Sequence, residues 1–306
     1  FNPQGGTMKF TRGAKFALAT AASAALAFSL LTPAQAATRS TVIVHHTNVQ
    51  TGLNCGTTLT NSTVCTDQAA LTGMGFNYYN EKKEIIQNTI FGSYKITKNT
   101  RNDFRVAYTV APGRVWSDGT PITGVDLLLP HVLRSDAYSI AAGLGDPKSK
   151  TETPAFDGLG YSSTYNDNIA GEPLLSADKM TVTLRWKNPI ANWDIYGPGP
   201  SPVHALVLLA EGKDSLQSAS ANLAAKERFL TAYNTKDTTL LKKMGKVWTE
   251  DYTITTINKD TNPLLLISNG GFIVDSAVPK TSMTFFGTLM LPLILTRLVQ
   301  CITSGH

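Results

Sequence analysis

The chain has 306 residues, 42% of them hydrophobic, which is enough to fill the core of one large domain or two ordinary ones. It carries 27 basic and 22 acidic residues, and no stretch interleaves Lys and Arg with aromatic residues. Nucleic-acid-binding proteins combine basic stretches with aromatic side chains on which bases stack. The composition therefore predicts a globular protein that does not bind nucleic acid.

The N-terminus has the three-part layout of a secretory signal peptide. After Met8, basic residues within 9–15 precede an uncharged apolar run over 16–31, and the small-residue motif Ala34-Gln35-Ala36 follows. A membrane span is the weaker interpretation, because the run is shorter than about 20 residues and Pro33 interrupts it before the cleavage-type motif.

We therefore predict that residues 8–36 are a cleaved leader and that the protein is periplasmic or extracellular, with cell-surface association left open. Residues 1–7 precede the first Met and are interpreted as non-native upstream sequence. Three of the 27 basic residues lie in the leader, so the exported part has 24 basic residues against 22 acidic ones. Its nearly balanced charge gives no reason to expect a polyanionic partner.

Two cysteines, Cys55 and Cys65, flank a polar loop ten residues apart. An oxidising compartment permits a disulfide that closes this loop. Two independent thiols are the alternative, because sequence spacing does not fix the distance between the two Cα atoms.

The first part of the exported chain contains two predicted strands. The β-branched run over 41–44 predicts a buried strand that leads into a polar loop over 45–54. Large apolar residues at every second position over 104–110 predict a half-buried strand.

A turn and a helix start follow the second strand. Asp118-Gly119 within the segment 116–121 predicts a tight turn, since this dipeptide accommodates positive φ angles. Thr123 and Asp126 form a capping-box pattern, which predicts a helix from Gly124 onwards. Pro130 is expected to kink or end this helix.

The remaining elements are a loop, a strand and two helices. Residues 143–178 are rich in Gly, Ser, Asn, Asp and Pro and predict a long irregular loop, which an alternating strand over 182–186 closes. Amphipathic patterns predict helices over 221–233 and 240–248, and Asp237 is the expected cap of the second.

The last predicted unit surrounds a pair of glycines. Apolar runs over 263–267 and 272–274 flank Ser268-Asn269-Gly270-Gly271. This arrangement predicts a strand, a glycine turn and a second strand.

Several short motifs occur in a fixed order along the chain. They are V-I-V-H-H-T-N at 42–48, T-G-L-N at 51–54, G-F-N-Y-Y at 75–79, W-S-D-G-T-P-I-T at 116–123, S-P-V-H at 201–204 and S-N-G-G-F at 268–272. The fourth is the most specific, because a strand precedes it and a helix start follows it. Together the motifs resemble the extracellular solute-binding proteins of peptide- and nickel-type (family 5) ABC importers, over residues 38–284.

The resemblance implies an α/β, periplasmic-binding-protein-like fold of the class II, large peptide-binding type, with a mixed sheet and flanking helices. Only the first lobe is expected, over 37–284. Within it, 37–75 and 187–284 would form the ligand-binding subdomain and 76–186 an inserted subdomain.

Residues 285–306 match nothing in the family and are interpreted as an aberrant apolar tail that replaces the second lobe after a frameshift or truncation. A C-terminal membrane anchor is the rival interpretation. It is disfavoured because the tail is short and contains Pro292 and Arg297.

The resemblance also implies a function without catalysis. The protein would capture oligopeptides or dipeptides outside the cytoplasmic membrane, as a monomer without a cofactor, and deliver them to the membrane permease subunits of an ABC importer. In such proteins two lobes close on the ligand about a hinge, because contacts to both lobes favour the closed state.

By the same resemblance, Asn48, Thr51 and Asn54 would bind the ligand at the mouth of the cleft. Ser268, Gly270 and Gly271 would form the hinge near the crossover to the second lobe.

Each candidate residue also has a structural interpretation. The three loop residues could satisfy their own backbone, and the glycine segment could be an ordinary turn. The adjacent His45 and His46 do not predict a metal site, since neighbouring strand residues point to opposite faces.

Two other functions remain as alternatives. A secreted hydrolase is one, although the chain contains neither G-x-S-x-G nor H-E-x-x-H. A non-functional truncated fragment of a solute-binding protein is the other.

Overall fold

The computed structural model describes residues 41–149, 151–157, 163–191, 193–287 and 298–303. The predicted leader over 8–36 lies outside these ranges. Among the helices that are described, none is both long enough and apolar enough to cross a membrane.

Strands and helices follow one another along the described ranges. The strands are β1 (Thr41–His46), β2 (Asn77–Tyr79), β3 (Ile85–Gln87), β4 (Gly92–Thr100), β5 (Asp103–Val110), β6 (Leu174–Leu175), β7 (Thr181–Trp186), β8 (Phe272–Val278), β9 (Ser282–Gly287) and β10 (Leu298–Thr303). The α-helices are α1 (Thr63–Thr72), α2 (Leu129–Arg134), α3 (Asp136–Ala141), α4 (Ser163–Asn168), α5 (Val203–Ala210), α6 (Ala219–Thr235) and α7 (Thr238–Lys246). Single turns of other helix types lie at Gly124–Leu127, Trp193–Tyr196, Val247–Asp251 and Pro263–Leu266.

The first sheet has the strand order β1-β10-β9-β8. β1 runs parallel to β10, and the other two pairs are antiparallel. Met283 and Phe285 of β9 are buried on the same face, as alternation along a strand requires. The boundary expected after Thr284 therefore falls inside a strand, and 285–287 belong to this sheet.

The β-branched residues of β1 are not buried, contrary to the sequence prediction. Val42, Ile43 and Val44 are 44%, 50% and 40% exposed. β1 is at the edge of its sheet, with one neighbouring strand. Strand propensity alone does not report such an edge position, because β-branched residues suit both edge and central strands.

A second sheet with the order β4-β5-β7-β6 is antiparallel, and β2 and β3 form a separate hairpin. The alternation predicted for β5 is confirmed, since Phe104, Val106 and Val110 are buried in the main core. β7 pairs with β5 and buries Leu184 and Trp186 in the same way, which confirms the second alternating strand.

The segment after β5 forms the predicted turn and helix cap. Gly119 has a φ of 84°, which glycine adopts without the steric penalty of a Cβ. Thr123 and Asp126 form the predicted capping box, but the helix that it starts is a single 3₁₀ turn. Pro130 does not kink this turn. It lies in the first turn of α2, where its missing N–H needs no helical partner.

Two other elements differ from the sequence prediction. The 143–178 region contains the short helix α4 and the two-residue strand β6 rather than irregular structure alone. Pro263–Leu266 is a 3₁₀ turn instead of a strand, because the Asn262 side chain caps it and Pro263 favours the first helical position.

The two predicted amphipathic helices are present as α6 and α7. Asp237 caps α7, and its carboxylate accepts hydrogen bonds from the N–H groups of Thr239 and Leu240. These helices and α5 pack around Phe229, Leu241 and other buried apolar residues of the main core.

A buried polar network ties the W-S-D-G-T-P-I-T segment to α5 and α6. The Asp118 carboxylate lies 3.0 Å from His204 Nε2 and accepts a 3.0 Å hydrogen bond from Asn222 Nδ2. Burial raises the pKa of Asp118, but the His204 and Thr120 hydrogen bonds outweigh this effect and hold the pKa below its usual value. Two of the motifs thus meet at the contact between Asp118 and His204.

A buried ion pair lies beside this network. Lys226 Nζ of α6 donates a 2.6 Å hydrogen bond to Asp126 and a 2.7 Å bond to the Pro121 carbonyl. The side chains of Lys226 and Asp126 are only 3% and 0% exposed. Burial raises the pKa of Asp126, and the nearby Lys226 charge opposes this rise.

Candidate ligand-binding cleft

A cleft of about 230 Å³ lies between the loop after β1, α1, the start of α5, the turn after α7 and the chain that leads into β8. Its lining residues are Leu53, Asn54, Cys55, Gln68, Ala69, Thr72, Gly73, Pro200, Ser201, Pro202, Leu206, Trp248, Tyr252, Leu265, Leu266, Ile267, Ser268 and Val274. Ligand sites are typically such concave, mostly apolar surfaces with a few polar groups.

The loop before α1 forms one lip of the cleft. A disulfide joins Cys55 to Cys65 of α1, with 5.5 Å between the two Cα atoms. Asn54 Nδ2 donates a 2.8 Å hydrogen bond to the Trp248 carbonyl, and the Leu53 N–H donates one of 2.8 Å to the Tyr252 carbonyl. The lip is therefore fixed both to α1 and to the turn after α7.

Two aromatic residues, Trp248 and Tyr252, form an aromatic wall that adjoins this lip. Trp248 lies in the π turn that follows α7, and its Nε1 donates a 3.1 Å hydrogen bond to the Asp157 carbonyl. Its ring packs so tightly on Gly56 that a Cβ there would lie 2.9 Å from Trp248 Cζ2. Burial raises the pKa of Tyr252 above its usual value.

Ser268 lines the cleft, and the Ser268-Asn269-Gly270 segment to which it belongs is here named the floor segment. The Ser117 N–H donates a 2.7 Å hydrogen bond to the Ser268 carbonyl, and the Ser268 N–H donates one of 3.1 Å to Ser117 Oγ. Asn269 Nδ2 donates a 2.8 Å hydrogen bond to the Met74 carbonyl, and the Met74 N–H donates one of 3.0 Å to Asn269 Oδ1. The segment thus joins the W-S-D-G turn to the end of α1.

The two glycines of this segment have different surroundings. A Cβ on Gly270 would lie 2.5 Å from the Leu71 carbonyl oxygen, whereas one on Gly271 would meet no atom within 4 Å. Neither glycine has a positive φ. Close backbone approach is therefore the reason for glycine at 270.

The cleft brings together two of the six predicted site residues, Asn54 and Ser268. Asn48 is exposed beside α1 and donates a 3.2 Å hydrogen bond to Thr63 Oγ1. Thr51 is also exposed and does not line the cleft. The role of these residues in binding stays a prediction.

Sequence reasoning missed most of the lining, including Trp248, Tyr252 and the stretch 265–267. The predicted helix over 240–248 includes Trp248, whereas this residue lies in the π turn after α7. The proline-rich stretch 198–202 was the available signal for Pro200 and Pro202, because such a stretch leaves regular structure and exposes its side chains.

The cleft is electrically neutral: no Asp, Glu, Lys, Arg or His is among the described residues that line it. Elsewhere, no group of three or more His, Cys, Asp or Glu side chains within the described ranges has a geometry that could hold a metal ion. His45 is exposed, and His46 Nε2 lies 3.4 Å from Asp67 Oδ2.

Solved structures share this fold. A periplasmic EDTA-binding protein superposes with a TM-score of 0.54 and 16% identity, covering 87% of this chain and 40% of the other. The dipeptide-binding protein from Pseudoalteromonas sp. SM9913, in complex with Met-Leu, has a TM-score of 0.53 and 12% identity, covering 87% of this chain and 44% of the other. A periplasmic oligopeptide-binding protein from Borrelia burgdorferi has a TM-score of 0.51 and 13% identity, covering 88% of this chain and 43% of the other.

No protein-family model and no curated protein sequence matches the chain. The chain spans less than half the length of the solved structures that it resembles. It has the mixed α/β fold of periplasmic solute-binding proteins, over a length that corresponds to one lobe.

Proposed function

We propose that the chain is the substrate-binding component of an ABC importer and captures small peptides outside the cytoplasmic membrane. The observation that carries this proposal is the cleft, which joins predicted site residues to an aromatic wall in a lobe with the fold of solute-binding proteins. Two neighbours with this fold bind a dipeptide and oligopeptides. The function is binding without catalysis.

Within this proposal, residues 37–75 and 187–284 form the ligand-binding subdomain, and 76–186 is the inserted one. Strands β8 and β9 start in the ligand-binding subdomain, whereas β2 to β7 all lie in the inserted subdomain. The floor segment 268–270, which contains the proposed hinge residues Ser268 and Gly270, is hydrogen-bonded through Ser268 to Ser117 of the inserted subdomain.

Trapping requires contacts from two lobes, because a ligand favours the closed state only if it binds that state more tightly than the open one. One lobe alone supplies part of those contacts. We therefore expect this chain to bind peptides weakly, and a version extended by a second lobe to bind them more tightly and to present them to permease subunits.

Calorimetric titration with a mixture of di- to pentapeptides tests this function on both versions. Weak saturable binding by this chain and tighter binding by the extended version is the expected result. Equal affinity in both would overturn the two-lobe mechanism, and no binding by either would overturn the proposed function itself.

A further inference from the structure

The polar groups that line the cleft are mostly engaged within the protein. The Asn54 amide bonds Trp248 and Gly56, and Gln68 Nε2 donates a 3.3 Å hydrogen bond to the Leu53 carbonyl. The Ser268 hydroxyl donates a 3.0 Å bond to the Phe272 carbonyl. Few polar groups of the lining are left to exchange hydrogen bonds with a ligand.

Thr72 and Ser201 also line the cleft, and the Thr72 hydroxyl donates a 3.0 Å hydrogen bond to the Gln68 carbonyl. Most of the remaining lining is apolar. Leu206, Leu265, Leu266, Ile267 and Val274 lie with the aromatic wall around the cleft. A charged group that entered would lose hydration and would find no opposite charge among the described lining residues. An apolar group would instead replace water at an apolar surface, which is favourable.

The size of the cleft fits one large side chain. Its volume is about 230 Å³, and an engineered apolar cavity of about 150 Å³ is enough to bind benzene. A leucine or phenylalanine side chain therefore fits with room for part of the adjoining main chain.

We infer that this cleft is a specificity pocket for one uncharged, apolar side chain of the ligand, of leucine or phenylalanine size. The inference rests on the proposed function and narrows it to peptides that carry such a side chain. Ligand charges are held outside this pocket.

The chain offers a matched pair of positions to test the pocket. Ala69 and Ala70 are adjacent, exposed residues in the last turns of α1, but only Ala69 lines the cleft. Ala69→Glu brings a carboxylate to the pocket, while Ala70→Glu adds the same charge and the same helix propensity outside it.

The experiment measures the affinity of the full chain and both variants for trileucine, trilysine and triaspartate by calorimetry. Homotripeptides are used because any of their side chains can occupy the pocket. We expect trileucine to bind the unaltered chain at least about tenfold more tightly than either charged peptide. Ala69→Glu should lose about tenfold in trileucine affinity, and Ala70→Glu should lose less than about twofold.

Other outcomes distinguish a failure of the specificity pocket from a failure of the proposed binding function. Equal affinity for the three peptides, or equal losses in the two variants, overturns the specificity pocket while the binding function stands. Failure of the unaltered chain to bind any of the three peptides, or any other peptide, overturns the binding function and the pocket with it.

Discussion

The neighbouring glycines Gly270 and Gly271, which follow Ser268 of the cleft lining, allow a sharp test of the packing around the end of α1. In Gly270→Ala the new Cβ would lie 2.5 Å from the Leu71 oxygen, 2.6 Å from the Thr72 carbonyl carbon and 2.7 Å from the Gly73 nitrogen. All three are backbone atoms, so no side-chain rotation relieves the clash. Either α1 or the floor segment must move, which weakens the 2.9 Å hydrogen bond from the Gly270 N–H to the Thr72 carbonyl.

The expected loss of stability follows from these contacts. Overpacking a tight site costs about 1–3 kcal/mol, and a weakened hydrogen bond adds about 1 kcal/mol. We expect Gly270→Ala to lower the free energy of unfolding by about 3 kcal/mol, which corresponds to a fall in Tm of roughly 6–12 °C for a domain of this size.

Gly271→Ala is the matched control, because its Cβ would meet no atom within 4 Å and its φ is not positive. Its stability should change by less than about 0.5 kcal/mol, or rise slightly as the unfolded chain loses freedom. Urea unfolding followed by circular dichroism measures both variants. Equal stabilities would refute the claim that close backbone packing requires glycine at 270.

Three other changes should lower stability for different physical reasons. Lys226→Met leaves Asp126 buried without its 2.6 Å partner, and urea unfolding should show a loss of about 3–5 kcal/mol. Burial, aided by the Lys236 charge, lowers the pKa of His131 to about 3. The unfolded chain therefore binds a proton near pH 6.5 that the folded chain does not, and stability should fall between pH 6.5 and 3 by up to about 1.4 kcal/mol per unit. His131→Gln should lack this component of the pH slope. The Cys55→Ser/Cys65→Ser variant, or reduction by dithiothreitol, should remove about 3 kcal/mol from the free energy of unfolding measured in urea.

Controls and contrary outcomes differ among the three. Lys179→Met breaks an exposed 2.6 Å pair with Glu227 and should lower the free energy of unfolding by less than about 1 kcal/mol. Equal losses of stability in the two lysine variants would contradict the burial of the Lys226–Asp126 pair. An unchanged pH slope in His131→Gln would show that His131 is accessible to protons in the folded state. If dithiothreitol leaves the unfolding curve in place, Cys55 and Cys65 are not joined in the folded protein.

Local sequence patterns predicted the strands and helix caps that are determined by the spacing of side chains along the chain. The alternation along β5 and the Asp237 cap of α7 depend on side-chain spacing alone, and both are confirmed. The 263–266 turn was predicted as a strand, because periodicity does not distinguish a short apolar run in a strand from one in a helix.

The cleft was less predictable, since its walls come from distant parts of the chain. Asn54 was found through its loop, but Trp248 lies 194 residues further on and meets it only in the fold. The buried Asp118–His204 contact had no local signal either. Each residue belonged to a noticed motif, and their pairing is a tertiary feature that neither motif contains.

The most direct test of the account is to map peptide binding onto the chain by NMR. A ¹⁵N-labelled sample would be titrated with trileucine while its amide signals are followed. The proposed function predicts saturable shifts concentrated at 53–55, 248–252 and 265–268 around the cleft. Saturable shifts centred elsewhere, for example at the exposed Tyr78 and Tyr79, would contradict the assignment of this cleft as the binding site.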